Sequence, residues 1–393
     1  MLFQTLDDKS ECVGVYSNGD LHFDNIPKGL SKTWSYSNFL QGMPIEYASL
    51  YVDGRSIDDI CPAHLLEDWQ RITKRLKAFI RSNQLAKVNM SENCFFDLTP
   101  KRFLKEFCNI KNQICEWVFN NYERPKNYDH LLSVQEVLSD IKYREINFDP
   151  KPLQENWVDQ KAKLLLTKFS NKKAYCDYNL FGSKTGRLSV SSDSLPIMNM
   201  KKEYRASIKP NNDFFIELDY NAAEARVVLA LLGIEQPQED IHEYNAKNLY
   251  HSSRADAKKR FFAWLYNPNS EDTISSGQYD RDLILGRYYL YDSVTNLFKR
   301  KIKCDDYHAF NYLIQSTSAD MVLDRMVAIY KLLKGRKSYV AFTLHDSIIL
   351  DFSSEDKALI KPIIEEYRNT KLGRFVTTVS AGKDLYNLKN IIL

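Results

Sequence analysis

Short stretches near the start of the chain alternate apolar and polar positions with a period of two, and a helical period takes over afterwards. Cys12-Val13-Gly14-Val15-Tyr16 and Leu21-His22-Phe23 flank Ser17-Asn18-Gly19-Asp20, which predicts a β-hairpin. Glu46-Tyr47-Ala48-Ser49-Leu50-Tyr51-Val52 reads as another strand, ending at Asp53-Gly54. From about Pro62 the positions Leu65, Leu66, Trp69, Ile72, Leu76 and Phe79 recur at helical spacing. Further helices are predicted at 100–121, where Pro100 suits a first turn, and at 131–142. Asn147 to Pro152 breaks the pattern, and a helical stretch then runs to about Phe169.

After residue 175 the character changes. A polar loop, Phe181-Gly182-Ser183-Lys184-Thr185-Gly186-Arg187-Leu188-Ser189, leads into an apolar strand at 214–220. Asn221 is suited to cap the helix that follows, and Gly233 to stop it. Helices are predicted at 254–266, 281–298 and 307–334. A hairpin with a polar His345-Asp346-Ser347 tip comes next, then an amphipathic helix at 355–369 and strands at 374–380.

The 393 residues suffice for two or three small domains or one large lobed enzyme. A formal net charge of +3 does not by itself argue for nucleic-acid binding, so local clusters must. Arg71, Lys74, Arg75 and Lys77 form one such cluster, and Lys299, Arg300, Lys301 and Lys303 another; each is either a phosphate-binding patch or a solvated face. No apolar run is long enough to span a bilayer, and the first eight residues lack the basic start of a secretory signal. Seven scattered cysteines without C-x-x-C spacing suit reduced thiols and a cytoplasmic location.

Candidate chemistry lies in three places. Asp219 leaves the 214–220 strand, and Asp346 sits where two strands reverse. A single aspartate at a strand end is ordinarily a turn residue. Two brought together would form a hard oxygen site suited to magnesium. Between them, Arg254, Lys258, Phe262 and Tyr266 follow one another at i+4 steps, along one stripe of a helix. The stripe is either a solvated basic face whose aromatics enter the core, or a nucleotide site with cations for phosphates and rings for base and sugar. No G-x-x-x-x-G-K-[ST] loop occurs.

These segments resemble A-family DNA polymerases. Asp219-Tyr220-Asn221-Ala222-Ala223-Glu224-Ala225-Arg226 is similar to the family's D-Y-S-x-x-E-x-R motif, with Asn221 in the usual serine position. The Arg254-Lys258-Phe262-Tyr266 spacing matches the family's fingers helix, with Asn267 replacing the common glycine. Thr185-Gly186-Arg187-Leu188-Ser189 matches T-G-R-L-S, and residues 311–320 resemble N-x-x-x-Q-G-T-A-A-D, with Ser316 in the glycine position. Asp240-Ile241-His242 matches a further short signature, and His345-Asp346-Ser347 stands where His-Asp-Glu is commoner.

The resemblance implies an α+β right-hand polymerase with an antiparallel-sheet palm, helical fingers and a helical thumb. Residues 1–60 would be a small β-rich region, 61–175 the mainly helical thumb region, 176–232 and 307–393 the two parts of the palm, and 233–306 shortened fingers. It implies that Asp219 and Asp346, aided by the Tyr220 carbonyl, ligate two Mg²⁺ ions. Arg254 and Lys258 would grip the triphosphate, with Lys258 also the acid for departing pyrophosphate. Phe262 and Tyr266 would pack on sugar and base, Glu224 would exclude a 2′-hydroxyl, and Arg187, Gln315, His345 and Asn311 would contact DNA.

The expected partners are primer–template DNA and dNTPs, with no membrane. No D-x-E precedes residue 175 to open a proofreading site, so a separate exonuclease or processivity factor is the expected helper. The short length and missing exonuclease fit a phage origin, and hence a host cytoplasm. His-Asp-Ser also occurs in single-subunit RNA polymerases, which makes RNA synthesis the leading alternative; a catalytically silent DNA-binding subunit is the other.

Overall fold

The apolar alternation over residues 3–17 forms a strand pair, and the Asn-Gly turn extends it to three. The computed structural model describes residues 1–8, 11–90, 92–170 and 172–391, and the chain divides into two units, Met1–Ser139 and Asp140–Leu393. In the first unit β1 (Phe3–Asp8), β2 (Glu11–Ser17) and β3 (Asp20–His22) make an antiparallel sheet in that order. Asn18 and Gly19 both take a left-handed φ, the two-residue turn that matches strand twist.

The predicted strand at 46–52 is corrected. Only Glu46–Tyr47 is extended, and Ala48–Tyr51 forms one helical turn. Ala48 and Val52 both lie fully inside the same core cluster, and a helical turn rather than a strand brings positions four apart to one face.

The long helices of this unit among the described residues are α1 (Ala63–Leu85), α2 (Lys101–Asn121) and α3 (Tyr128–Lys142), the last running just past the unit boundary. Trp69 and Ile72 of α1 pack with Phe103, Leu104, Ile114 and Val118 of α2. The first basic cluster is half neutralised. Arg71 and Arg75 both pair with Glu106, at 2.6 and 2.7 Å, leaving Lys74 and Lys77 exposed.

The second unit is built on β4 (Phe214–Tyr220), β5 (Tyr339–Leu344), β6 (Ser347–Phe352), β7 (Thr377–Gly382) and β8 (Lys389–Asn390), in the order β5-β6-β4-β7-β8. Every neighbouring pair is antiparallel. All six β6 residues are buried, and Ile348, Ile349 and Leu350 each contribute roughly 1.5–3 kcal/mol of apolar burial.

Around the sheet run α4 (Ala223–Leu232), α5 (Arg254–Tyr266), α6 (Asp306–Leu333) and α7 (Ile360–Arg368). Helix α6 is buried around much of its girth, with small residues Ser316, Thr317, Ser318 and Ala319 inside.

Two further expectations are corrected here. Asn221 does not cap α4; the cap position is Ala222, in left-handed conformation without a side-chain hydrogen bond, and the Asn221 amide turns elsewhere. Gly233 does stop the helix in the left-handed region. The helix expected over 281–298 ends at Tyr288, and Ser293–Thr295 pairs with Lys301–Lys303 as a hairpin. The break falls where Tyr291 and Asp292 both adopt a left-handed φ, a conformation no right-handed helix can carry.

Candidate active site

Register sets the two aspartates side by side. Asp219, one residue before the end of β4, pairs directly with Ser347 of β6, and Asp346 immediately precedes Ser347 in the β5–β6 turn. His345 makes that turn possible by taking φ 55°. The Tyr367 hydroxyl of α7 donates to the Asp346 carbonyl at 2.8 Å, and the Tyr220 ring stacks on Tyr367 with centroids 4.1 Å apart. Tyr220 is thus a core side chain, and it has only its backbone carbonyl to offer a ligand.

Burial, and after it the neighbouring carboxylates of Glu217 and Asp346, push the Asp219 carboxyl up to about 7. Burial raises Asp346 as well, against the pull of Arg187 and His345. Two crowded, desolvated carboxylates gain from a proton or a cation between them. Among the described residues, however, no group of three or more His, Cys, Asp or Glu side chains converges as a complete metal cage.

Beside the turn lies a cleft of about 360 Å³, lined by residues 186–190, Met198, Asn199, the α6 residues Ala319, Val322 and Leu323, and Thr343, His345 and Asp346. The Thr185-Gly186-Arg187 loop and the Asp346 turn therefore share one wall system. Gly186 has φ 79°, and a Cβ there would lie 2.7 Å from the Arg300 guanidinium. Arg300 is itself buried and forked onto Asp320 of α6, at 2.8 and 2.7 Å. The second basic cluster is thereby corrected: Arg300 braces the loop from inside and offers nothing to phosphate.

Glu224 joins three segments. One carboxylate oxygen accepts from Arg187 at 2.5 Å and the other from the Tyr266 hydroxyl at 2.6 Å, and the side chain is almost wholly buried. Burial raises its pKa, while Tyr266 and Arg187 pull the other way.

Helix α5 buries Ala257, Phe261, Trp264 and Leu265, the i, i+4, i+7, i+8 stripe of an amphipathic helix. That leaves Arg254, Lys258 and Tyr266 exposed and Phe262 half-buried on the other side. Phe262 and Tyr266 stack at 5.8 Å, and the Lys258 ammonium lies 6.0 Å from the Phe262 ring centroid. The cations of this helix thus stand on an exposed face, as either reading of the stripe expects, while Phe262 is only half-buried and Tyr266 exposed rather than both lying in the core. On α6, the Gln315 amide donates to Asn311 at 2.6 Å, and both are half-buried.

Several residues here were invisible to motif reasoning. Glu217, two positions before Asp219 on the same strand face, accepts from the Ser347 hydroxyl at 3.3 Å; period-two spacing was the available signal. Tyr178 donates to the Thr343 carbonyl at 2.8 Å and accepts from the Thr343 N–H. No local pattern could pair residues so distant in sequence.

No family model and no curated protein sequence matches the chain. Among solved structures, the chain is similar to the polymerase domain of Pol1 from M. smegmatis, solved in complex with DNA primer-template and dNTP. The likeness has a TM-score of 0.57 and 12% identity, and covers 73% of this chain and 76% of that one. The chain shares the fold of that polymerase domain.

Proposed function

We propose that this protein is a template-directed DNA polymerase that adds dNTPs to a primer 3′ end. The observation that carries this reading is the β4–β6 register that sets Asp219 beside the Asp346 turn, within the fold of a polymerase domain. In this reading the five-stranded sheet belongs to a palm (176–232 and 307–393), 233–306 are fingers, and 61–175 form the thumb region.

The donor set suits magnesium. Both groups are hard oxygen ligands, and Mg²⁺ is commonly held by one or two carboxylates with substrate phosphates and water rather than by a protein cage. Asp219 and Asp346, with the Tyr220 carbonyl, would hold two ions. When bound, these activate the primer hydroxyl and neutralise charge on the phosphates.

The chain's own residues do the rest. Arg254 and Lys258 bind the triphosphate from the open face of α5, and Lys258 gives a proton to departing pyrophosphate. Phe262 and Tyr266 pack on the nucleotide. Glu224, clamped between Arg187 and Tyr266, fills the space a 2′-hydroxyl would need. Arg187, Asn311, Gln315 and His345 follow the primer terminus through contacts blind to sequence.

Primer extension with magnesium, offered either dNTPs or rNTPs, tests the proposal. Template-dependent dNTP incorporation is expected. Preferential rNTP incorporation would install the single-subunit RNA polymerase reading that the His-Asp-Ser turn suggests, and no extension with intact DNA binding would install the silent subunit.

A further inference from the structure

The Asn221 side chain, free of any capping duty, lies at the centre of a polar network. Its Nδ2 donates to Asp240 at 2.8 Å, and its Oδ1 accepts from Arg226 at 3.1 Å and from the Ile241 N–H at 3.2 Å. Amide against carboxylate and carbonyl against guanidinium leaves no sensible flipped alternative. Arg226 is completely buried, and among the described residues no carboxylate is hydrogen-bonded to it. It donates to the Asn221, Pro237 and Glu239 carbonyls, and so moulds the loop that ends at Asp240. Asp240 in turn accepts from the Glu243 N–H at 2.9 Å and forks onto Arg254 through Nη2 at 2.6 Å and Nε at 3.1 Å.

That chain of contacts runs from two residues past Asp219 to the first residue of α5. The fork uses two of the five guanidinium N–H groups of Arg254 and leaves three for an anion. An arginine already fixed in its plane loses less rotamer freedom when a phosphate arrives. A serine, usual at position 221 in the sequences this chain resembles, reaches one atom less far and has a single hydroxyl for both duties. The asparagine is what lets this chain tie Arg226 and Asp240 together.

We propose that Asn221 is a positioning residue for nucleotide binding, aligning Asp240 and through it Arg254 toward the triphosphate. The inference rests on the polymerase reading of α5.

The test compares wild type, Asn221→Ala, Asn221→Ser, Arg254→Ala and the Asn221→Ala/Arg254→Ala double variant. Two quantities are read: the Kd of dNTP on a dideoxy-terminated primer–template, where no chemistry follows, and the split between KM and kcat in extension. Asn221→Ala should raise Kd and KM roughly fivefold, as for one lost charge-assisted hydrogen bond, and leave kcat within about twofold. It should add little once Arg254 is gone. Asn221→Ser should fall in between.

An unchanged Kd in Asn221→Ala, or full additivity in the double variant, overturns the inference and leaves the polymerase reading standing. An unchanged Kd in Arg254→Ala overturns the inference and the assigned role of α5 together. Should Asn221→Ala not fold, the isosteric Asn221→Asp removes the Nδ2 donor to Asp240 and leaves the Asp240–Arg254 pair its own groups: a raised Kd supports the inference and an unchanged one overturns it.

Discussion

The Tyr266 hydroxyl donates to the Glu224 carboxylate at 2.6 Å, tying the last residue of α5 to the first turn of α4. Because Arg187 holds the other carboxylate oxygen, Glu224 cannot swing aside without losing two partners. The wild type is expected to prefer dNTPs strongly, and Glu224→Ala to relax that preference while lowering overall activity. Steady-state incorporation of a matched dNTP and rNTP by both proteins reads it out. An unchanged discrimination ratio would remove Glu224 from the gate.

Asp219→Ala and Asp346→Ala should each abolish extension while leaving primer–template affinity largely intact. DNA affinity comes mostly from phosphate contacts elsewhere, whereas these carboxylates serve the reacting centre. A loss beyond roughly a thousand-fold is expected, about 4 kcal/mol of barrier. Gel-shift affinity and single-turnover extension on the same preparations separate the two effects. A near-normal rate in either variant refutes the assignment.

Lys258→Ala should impair nucleotide use, in KM, kcat or both, with DNA binding preserved. Arg254→Ala should do so chiefly through affinity. If both variants lost only DNA affinity, the open face of α5 would be a duplex-binding surface instead.

The buried Arg300–Asp320 fork should be costly to break. Asp320→Ala strands a buried guanidinium and should cost about 3–5 kcal/mol, whereas an Arg300→Met/Asp320→Leu pair, which removes both charges, should cost far less. Urea denaturation of the three proteins checks this; equal losses would mean the pair matters by shape alone.

Stability should also fall in acid because of one ring. Burial, with Lys258, Arg254 and Arg226 nearby and only Asp240 opposing them, lowers the pKa of His242 to about 4. The unfolded chain takes up that proton near 6.5, so between about 6.5 and 4 it binds more protons than the native state. Folding stability is lost as pH falls through that window, by roughly 3 kcal/mol at most. His242→Asn should flatten this part of the profile. A parallel acid slope in the variant would move the cause to other groups.

The parts of this structure written in local spacing were legible in the sequence. The sequence spacing placed the helices at 101–121, 254–266 and 306–333 to within a residue and the start of the one at 63–85, and Asn18-Gly19 announced its hairpin. The i+4 stripe of α5 was likewise visible.

The misreadings came where tertiary contacts outbid local preference. Ala48–Tyr51 coils because the core wants Ala48 and Val52 together, and the chain after Tyr288 leaves its helix through two left-handed residues. Partnership across the fold was illegible as well. Arg300 reads as one more cation in a basic run, and nothing near it announces Asp320 twenty residues on. Asn221 looked like a cap because asparagine usually is one there.

The position of β4 has a consequence for how the protein is made. Both of its neighbours, β6 and β7, follow it in the chain, and Ser347 emerges 130 residues after its contact Glu217. At synthesis rates of about 5–20 residues per second, that is roughly 7–26 s in which Phe214–Tyr220 has left the ribosome with neither edge paired. An apolar strand waiting that long invites pairing with the same strand on a neighbouring nascent chain. Asp219 acquires its surroundings only when the β5–β6 hairpin docks, so the reacting centre is completed late in the life of the nascent chain.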